Sequence, residues 1–552
     1  MSATTTPALR QWQLQALAAM EQWPKGTFLM AAAPGAGKTR PALEQAVRLL
    51  YAREADRIAL VCPTAPLTRQ WAEAAARLGL HLAPDATELT PPAGFHGVAV
   101  TYARVAQSAE RWASQCLDST FVIADEAHHL GDEMAWGQGF TRALGRARRW
   151  LLLSGTPFRS DASPIPGVRY DDDGMARPDH AYGYAEAVRD GVCRPVTFIP
   201  FDGTMTWRSG EETVEGSFAD QVAGEERSRR YRTAISADLE GALPKILGEA
   251  HRRLLGVRES GGAGPGGVPH ADAGGLVVAA DGEHARAVAA VLHRIVGSPP
   301  TVVMHTDPQA HRRLAEFTHA SDPWIVAVNM VSEGVDIPRL RVGVYATAAK
   351  TAMIFRQIVG RFVRTVPGRP LEPSWIYLPA EATLRAHAAE VDRDLIPLLR
   401  RREDADPDQF LDDEALDAAN RVEDEAGLRP AFEALAADMA PAAQLDLFGG
   451  ATPVVDPQAQ ATAAGAVATL GGPVPAGPPA ATQEVPLWQR RQQLRDLRHG
   501  LVSELGRKRG ASQREVNAWV NRKVGITRVE QATVDQLEQS IDVLHDALAG
   551  RG

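Results

Sequence analysis

A glycine-rich string near the start of the sequence, Ala32-Ala-Pro-Gly-Ala-Gly-Lys-Thr39, has the residue types of a phosphate-binding loop. Gly35 and Gly37 can adopt positive φ, which lets successive backbone N–H groups converge on anionic phosphates at a helix N-terminus. Lys38 would then reach the terminal phosphates, and the Thr39 hydroxyl would ligate Mg²⁺. The predicted phosphate contacts are Pro34, Gly35, Ala36, Gly37, Lys38 and Thr39.

The residues on either side of this string favour a phosphate loop over a chance glycine-rich turn. The apolar run 27–31 predicts a buried parallel strand, and residues 41–50 predict a helix. Ala32 stands where the general pattern has its first glycine. The order of strand, glycine-rich turn and helix is nevertheless the context in which such a loop binds phosphate.

Two adjacent acids follow a second apolar stretch. Residues 121–124 predict a short buried strand, and Asp125 and Glu126 emerge at its carboxyl end, the edge of an open α/β sheet where ligands bind. Asp125 is positioned to hold Mg²⁺, and Glu126 to orient or deprotonate an attacking water. His128 and His129 suggest a metal at first, but no cysteine or third ligand is spaced near them, which argues against structural zinc.

The phosphate loop and the Asp125-Glu-Ala-His128 string together resemble helicase superfamily two, specifically its DEAH-box branch with the layout of type III restriction and phage-type helicases. The resemblance covers about the first 380 residues. It implies two RecA-like domains, each a parallel sheet with flanking helices, that bind ATP and Mg²⁺ and act on nucleic acid. Arg10 and Gln13 match the family's N-terminal adenine-recognising segment, with Gln13 as the implied base reader.

Further strings match the family's motifs for strand contact and coupling. Residues 61–71 resemble motif Ia and residues 100–102 resemble motif Ib, and both imply contacts to the nucleic-acid strand. Residues 154–157 resemble motif III, which in the family couples hydrolysis to nucleic acid. The implied nucleic-acid contacts are Thr64, Arg69, Thr101 and Ser332. The implied coupling residues are His128, Ser154 and Thr156.

The next part of the chain repeats the alternation of strands and helices, as a second RecA-like domain requires. An apolar strand at 325–328 leads into residues 332–338, which resemble motif V. In the family this loop touches both the ribose side of the nucleotide and the nucleic-acid backbone. The resemblance therefore implies nucleotide contacts by Gly334 and Asp336.

Residues 357–364 resemble motif VI. A helix would place Gln357, Gly360, Arg361 and Arg364 at i, i+3, i+4 and i+7, on one face. Two arginines so placed can neutralise charge that develops on the γ-phosphoryl group, a contribution on the order of 10³–10⁵ in rate. A solvated basic stripe is the alternative, which the glycine and the partner motifs disfavour. The predicted catalytic set is Lys38, Asp125, Glu126, Gln357, Arg361 and Arg364.

Length and composition bound the rest of the interpretation. The chain has 552 residues, 45% of them apolar, which allows several domains of roughly 100–200 residues each. No run approaches the ~18 apolar residues of a membrane span, and the first residues lack a signal-peptide pattern, so we expect a cytoplasmic protein. Cys62, Cys116 and Cys193 are far apart, which fits buried thiols in a reducing compartment and excludes an iron–sulfur cluster with four cysteine ligands.

The net charge of −9 conceals a strong local asymmetry. Residues 386–430 are acidic, whereas residues 486–528 carry eleven Lys or Arg against three acids. Between them, residues 436–485 are rich in Ala, Pro and Gly and predict a flexible tether. The basic end predicts helices over 487–505, 516–520 and 533–548. Such a module would bind DNA or dock a protein, and its concentrated cations favour DNA.

One apolar-anchored string, Gln444-Leu-Asp-Leu-Phe448, interrupts the tether. It resembles the linear motif by which bacterial polymerases and repair proteins dock onto the replicative sliding clamp. Such peptides insert Leu and Phe side chains into an apolar groove while glutamine sets the register. The implied partner contacts are Gln444, Leu445, Leu447 and Phe448. The alternative is that these side chains fold back onto the protein's own surface.

The predicted fold class is α/β, with two tandem RecA-like domains and a small C-terminal all-α module on a flexible linker. The predicted segments are a first, ATP-binding RecA-like domain at 1–195, a second at 196–385, an acidic helical extension at 386–435, the linker at 436–485 and the basic helical module at 486–552. The predicted function is an ATP-dependent DNA helicase or translocase with no nuclease constellation. An RNA helicase of the same superfamily and an ATP-switched DNA or clamp adaptor without unwinding are the alternatives.

Overall fold

The computed structural model describes most of the two predicted domains and the C-terminal module. The described residues are 8–132, 134–155, 165, 167–171, 176–209, 211–222, 224–260, 268–304, 307, 309–328, 337–366, 369, 372–395, 432–442 and 485–549. Eight predicted site residues lie outside them: Thr156, Ser332, Gly334, Asp336, Gln444, Leu445, Leu447 and Phe448. Within the described residues, no helix is long and apolar enough to cross a membrane.

The chain divides into two compact units, and each contains one predominantly parallel sheet. The first unit comprises residues 1–31, 37–181 and 478–552, and the second comprises residues 32–36 and 182–477. The predicted boundary between the two RecA-like domains, at 195/196, therefore lies about one short helix C-terminal to the boundary between the two units at 181/182. The basic module belongs to the first unit, although it follows the second unit in sequence.

The first unit's sheet has seven strands in the order β3-β4-β2-β5-β6-β1-β7. The strands are β1 Gly26–Ala32, β2 Arg57–Cys62, β3 Leu82–Pro84, β4 Gly97–Thr101, β5 Thr120–Ala124, β6 Arg149–Ser154 and β7 His180–Tyr182. Strands β1 to β6 pair in parallel. Because β2 and β5 are apolar along nearly their whole length, they are buried on both faces.

Helices connect these strands, and the order of strands brings two loops to one edge of the sheet. The helices are α1 Gln11–Glu21, α2 Thr39–Tyr51, α3 Ala65–Ala76, α4 Tyr102–Gln107, α5 Ala109–Gln115, α6 His129–Asp132 and α7 Met134–Leu144. Strands β1 and β5 flank β6 in the sheet and run in the same direction. The glycine-rich loop after β1 and the acids after β5 therefore emerge at the same edge.

The second unit's sheet has the order β11-β12-β10-β13-β14-β8-β15, with β9 paired to β8. Its strands are β8 Val196–Ser209, β9 Glu212–Gly216, β10 Gly274–Ala279, β11 Thr301–Met304, β12 Trp324–Val328, β13 Leu340–Ala346, β14 Ser374–Pro379 and β15 Phe432–Pro441. Its helices are α8 Tyr184–Arg189, α9 Gly224–Ala234, α10 Leu243–Ser260, α11 Gly282–Val296, α12 Ala310–His319, α13 Ala352–Phe362 and α14 Ala382–Leu395. The core of this unit packs α9, α10 and α11 against the sheet.

Strand β15 corrects the predicted boundary between the acidic extension and the linker. The acidic helical extension is predicted to end at residue 435 and the flexible linker to begin at 436. In the structure, residues on both sides of that point form one strand antiparallel to β8. Met439 is fully buried in the core of the second unit. The alanine-rich sequence has low strand propensity, so pairing with the edge of β8 decides its conformation.

The C-terminal module is helical, as predicted. It comprises α15 Leu487–Arg509, α16 Gln513–Val524, a 3₁₀ turn at Val529–Gln531 and α17 Val534–Leu548. It contacts the rim of the first sheet, where the Gln531 amide donates to Glu88 at 2.9 Å. The Arg491 guanidinium lies 4.9 Å from the centroid of the Phe95 ring.

The contact between β8 and β15 generates a stability prediction. A Cβ at Gly203 would lie 2.0 Å from the backbone oxygen of Asp438, so Gly203→Ala must displace β15. We expect a loss of about 1–3 kcal/mol, measured as a lower midpoint of thermal unfolding. Gly248→Ala is the matched control, because a Cβ there meets nothing within 4 Å inside α10, and it should be neutral or slightly stabilising. Equal midpoints for the two variants would contradict the pairing.

Candidate active site

The glycine-rich loop turns sharply between β1 and α2. Gly35 has φ +78° and Gly37 has φ +89°, as the sequence predicts for a loop that turns its N–H groups inward. The Ala36 N–H donates to the Ala33 carbonyl at 2.9 Å. Helix α2 begins at Thr39, so the loop ends at a helix N-terminus, where the macrodipole favours an anion.

Lys38 forms a buried charged cluster with the two acids that follow β5. Its Nζ lies 3.4 Å from Asp125 Oδ1 and donates a hydrogen bond to Glu126 Oε1. Burial disfavours the charged ammonium, but attraction by Asp125 and Glu126 outweighs burial and raises the pKa of Lys38. Burial likewise disfavours the Glu126 carboxylate, but attraction by Lys38 outweighs it and lowers the pKa of Glu126 to about 2. Both groups are therefore charged at physiological pH.

The backbone at Glu126 is strained. Its φ of +48° lies in the left-handed region, which costs a residue with a Cβ on the order of 1–3 kcal/mol and is concentrated at functional sites. Two contacts hold this turn in place. The Glu126 N–H donates to Asp125 Oδ1 at 3.1 Å, and the Tyr102 hydroxyl donates to the Asp125 carbonyl at 2.8 Å.

The Asp125 side chain has a partner that the sequence analysis did not single out. Trp71 Nε1 donates to Asp125 Oδ2 at 2.8 Å, and both residues are buried. Trp71 lies on α3 within the motif Ia string, and Tyr102 lies at the start of α4 within the motif Ib string. A buried tryptophan or tyrosine usually needs a partner for its polar atom, but sequence spacing does not identify that partner.

His128 lies beside the cluster and is neutral. Its Nδ1 is 3.6 Å from Glu126 Oε2. Burial, reinforced by the neighbouring His129, lowers the pKa of His128 to about 3. Its Nε2 is buried, and within the described part of the chain it has no hydrogen-bond partner. Among the described residues, no group of three or more His, Cys, Asp or Glu side chains is arranged to hold a metal ion.

Gln13 connects the first helix to the glycine-rich loop. Its Nε2 donates to the Gly37 carbonyl at 3.1 Å, and its Oε1 accepts from the Arg10 N–H at 2.9 Å. A Cβ at Gly37 would lie 3.3 Å from Gln13 Nε2 and 3.5 Å from Arg10 Nη1. The two predicted adenine-side residues thus lie against the loop, and glycine at 37 leaves room for them.

The residues present fit a magnesium nucleotide. The loop has glycines at positive φ and ends at a helix N-terminus, which suits phosphate, and Lys38 supplies a cation that the two carboxylates face. The Thr39 hydroxyl and the Asp125 carboxylate are oxygen ligands of the kind that Mg²⁺ prefers. Lys38 faces two acids, and burial raises the pKa of Asp125, so one lysine does not fully stabilise both carboxylates. A divalent cation beside Asp125 would favour its ionised form.

The predicted strand-contacting residues of the first unit lie at the starts of helices or near them. Thr64 immediately precedes α3, and Thr101 caps α4 by accepting a hydrogen bond from the Arg104 N–H at 3.4 Å. Arg69 is half exposed and forms an ion pair with Asp85 at 2.9 Å. Ser154, predicted to couple hydrolysis to the strand, is buried at the carboxyl end of β6.

The helix predicted over the motif VI string contains three of its four residues but not the fourth. Helix α13 contains Gln357, Gly360 and Arg361, but it ends at Phe362, so the expectation that Arg364 lies on the helix face is wrong. Arg364 instead forms an isolated antiparallel bridge with Cys193. The spacing of residues in the sequence does not predict where α13 ends, because main-chain pairing of Arg364 with Cys193, just before β8, replaces a further helical turn.

The two sheets and the buried cluster have the arrangement of a helicase-like fold of superfamily two. A family model for the type III restriction enzyme res subunit matches residues 6–159. Rv2917 of Mycobacterium tuberculosis H37Rv is 42% identical over 473 residues, which is 82% of this chain and 75% of the relative. ML1624 of Mycobacterium leprae is 40% identical over 393 residues, covering 70% and 64% of the two chains. The chain belongs to the family of these mycobacterial proteins.

Two solved structures show weaker similarity. The ATP-dependent type ISP restriction-modification enzyme LlaBIII bound to DNA is 14% identical, with a TM-score of 0.47, and the alignment covers 95% of this chain and 35% of that one. Dbp5 of S. cerevisiae bound to RNA and ADP BeF3 is also 14% identical, with a TM-score of 0.43 over 75% and 93% of the two chains.

The Trp71–Asp125 hydrogen bond can be measured as a stability difference. Trp71→Phe leaves the buried Asp125 Oδ2 without its donor, which should cost about 1–3 kcal/mol beyond the loss of ring volume. Trp112→Phe is the matched control, because Trp112 is fully buried in the same unit and its Nε1 has no hydrogen-bond partner among the described residues. Thermal unfolding of both variants gives the comparison. Equal destabilisation would show that the Trp71 bond contributes little.

Proposed function

We propose that this protein is a nucleic-acid-dependent ATPase that uses the hydrolysis of Mg-ATP to translocate along, unwind or remodel DNA. The observation that carries the proposal is the buried cluster of Lys38, Asp125 and Glu126 at the carboxyl edge of a parallel sheet, beside a loop with two left-handed glycines. A strained backbone and shifted pKa values in one cluster are typical of a catalytic site. Membership of the helicase-like superfamily supports the same reaction class.

In this proposal each residue of the cluster has a separate role. The loop N–H groups and Lys38 bind phosphates, and Thr39 and Asp125 hold Mg²⁺, which when bound neutralises charge on the phosphates. Glu126 is ionised at physiological pH because its pKa is about 2, so its carboxylate can accept a hydrogen bond from the attacking water and orient it. Trp71 and Tyr102 fix Asp125 in place. His128 is neutral and its Nδ1 lies 3.6 Å from Glu126 Oε2, so a movement of that carboxylate would change its contact with the imidazole.

The remaining site residues are part of the proposal through the family resemblance. Gln13 and Arg10 bind the adenine side of the nucleotide, and Gly334 and Asp336 bind its ribose side. Arg361 and Arg364 stabilise charge on the γ-phosphoryl group, with Gln357 beside them. The proposed nucleic-acid contacts are Thr64, Arg69, Thr101 and Ser332, and the coupling residues are His128, Ser154 and Thr156.

The proposal names DNA in preference to RNA because the family model that matches the first unit describes a restriction enzyme subunit. An RNA helicase of the same superfamily would give the same cluster. An adaptor that uses ATP only as a binding switch would also keep Lys38 and the acids. Rates of ATP hydrolysis with single-stranded DNA, duplex DNA, forked DNA and RNA separate the first two, and strand-displacement assays separate a helicase from an adaptor.

Replacing Glu126 and replacing Lys38 should impair ATP hydrolysis in different ways. Glu126→Gln should keep nucleotide affinity but reduce kcat by about 10²-fold or more, because the neutral amide lacks the carboxylate charge that orients or deprotonates the attacking water. Lys38→Ala should lose both nucleotide affinity and turnover. Glu73→Gln, an exposed position on α3, is the charge-matched control and should behave as the wild type. Near-normal hydrolysis by Glu126→Gln would overturn its assignment as the base.

We further propose that Gln444-Leu-Asp-Leu-Phe448 tethers the protein to the replicative sliding clamp, a proposal that rests on the linear motif alone. Apolar anchors that fill a pocket usually dominate such interfaces, so replacing both Leu447 and Phe448 by Ala should abolish clamp binding and leave nucleic-acid-stimulated ATPase unchanged. Calorimetry with a peptide spanning 440–452, and with its double-alanine version, provides the measurement. No saturable binding by the unmodified peptide would show that the motif is a coincidence.

A further inference from the structure

The C-terminal module uses several of its cations to hold itself together. The Arg491 guanidinium is buried and donates to the carbonyls of Ala532 and Glu530 at 2.6–3.1 Å. Arg498 is also buried and donates to Asn517 Oδ1, Asn521 Oδ1 and Ser540 Oγ at 2.7–3.1 Å. Burial, with repulsion by Arg495, lowers the pKa of Arg491 to about 10, and burial lowers the pKa of Arg498. Neither guanidinium is presented to solvent.

Three more cations of the module have partners inside it. Arg490 forms an ion pair with Glu538 at 2.7 Å, and the Lys508 ammonium donates to the Leu548 carbonyl at 2.6 Å. The Arg495 guanidinium donates to the Glu530 carbonyl. The eleven cations counted over residues 486–528 are therefore not one polyanion-binding surface. Only the cations that the fold leaves exposed to solvent are available to a polyanion.

Several of the outward-facing cations lie on one side of α16 or beside it. Val516 and Val520 are buried against α15 and α17, so the opposite side of α16 faces solvent. That side carries exposed cations and alanine around a half-buried tryptophan: Arg514, Ala518, Trp519, Arg522 and Lys523. The Lys523 Nζ lies 5.1 Å from the centroid of the Trp519 ring, and the Arg509 Cζ, from the last turn of α15, lies 5.2 Å from it. We call this set, with Arg509, the α16 face.

The turn that leads into α16 presents this face as a rigid unit. Helix α15 ends at Arg509 and is capped by Gly510, whose φ is +65°, and Ser512 caps α16 in a capping box with Glu515. Three residues thus separate the helices, one of them a left-handed glycine. A short glycine-containing turn followed by a second helix with an exposed polar face is the arrangement of helix-turn-helix proteins, which place the second helix in the major groove.

The charges of the module are separated between its helices. Helix α17 contains the acids Asp535, Glu538, Asp542 and Asp546 and no lysine or arginine. The α16 face contains four cations and, nearby, the single acid Glu515, whose carboxylate bonds to the Ser512 hydroxyl and N–H. A polyanion would therefore approach the module from the α16 side.

We propose that the α16 face binds duplex DNA and so holds the double-stranded part of the substrate while the ATPase acts on it. This inference rests on the proposed function. Arg514 and Arg522 lie two turns apart, about 12 Å along the helix axis, and Ala518 between them allows close approach. The major groove is about 12 Å wide and admits an α-helix. Duplex is favoured over a single strand because two cations already lie against the Trp519 ring, where an unpaired base would have to stack.

The test compares two triple variants of the full-length protein. The first is Arg514→Ala, Arg522→Ala and Lys523→Ala. The second, Arg189→Ala, Arg252→Ala and Arg312→Ala, removes three exposed cations from other helices and loses the same net charge. Binding to a labelled blunt duplex and to a single strand of equal length is measured by fluorescence anisotropy over a series of salt concentrations, together with ATPase stimulated by the single strand.

We expect the first variant to lose about tenfold or more in duplex affinity. Its slope of log affinity against log salt should fall by about 0.9 for each phosphate that the variant no longer neutralises. The second variant should match the wild type, and both should keep single-strand-stimulated ATPase. Equal losses of affinity for the two variants, or a loss confined to the single strand, would overturn the inference. Glu126→Gln should lose stimulated ATPase and keep duplex binding. This variant therefore tests the proposed ATPase separately from duplex binding by the α16 face.

Discussion

The structure of the first unit depends on the electrostatic balance between Lys38 and the acids after β5. A buried ammonium or carboxylate alone would lose several kcal/mol of hydration, and neither could remain charged at the sheet edge without the other. Their mutual attraction keeps Lys38 and Glu126 ionised, with the pKa of Glu126 at about 2. Burial still raises the pKa of Asp125, so the single lysine favours the ionised form of Glu126 more than that of Asp125.

The strain at Glu126 follows from the same constraint. The turn after β5 must aim two consecutive side chains at one point, whereas consecutive residues of a strand point to opposite faces. A left-handed residue at the strand end allows both carboxylates to reach Lys38, and the hydrogen bonds from Trp71 and Tyr102 to Asp125 stabilise it. The aromatic residues of α3 and α4 thus connect the two strings that resemble strand-contacting motifs to the buried cluster of Lys38, Asp125 and Glu126.

How far the sequence predicts this molecule depends on whether local spacing or tertiary pairing decides each feature. The phosphate loop and the acids after 121–124 could be predicted because glycine at positive φ and charge at a strand end follow from the local sequence. Three features could not. The end of α13 before Arg364 depends on pairing with the chain at Cys193, and β15 depends on the free edge of β8 rather than on strand propensity. The partner of Asp125 is a tryptophan more than fifty residues away, and no spacing rule selects it.

Charge composition shows the same limit in the C-terminal module. Counting cations predicts a uniformly basic end, but burial and hydrogen bonding divide them into guanidinium groups that hold the helices together and those that face solvent. The distinction matters for a protein with a net charge of −9, because the Debye length is about 8–10 Å near physiological ionic strength. Charges on distant parts of the chain are screened over that length, so a polyanion near α16 experiences mainly the nearby charges: the cations Arg509, Arg514, Arg522 and Lys523 and the single acid Glu515. An acidic protein can therefore present a cationic face when most of the neighbouring acids lie on another helix, as they do on α17.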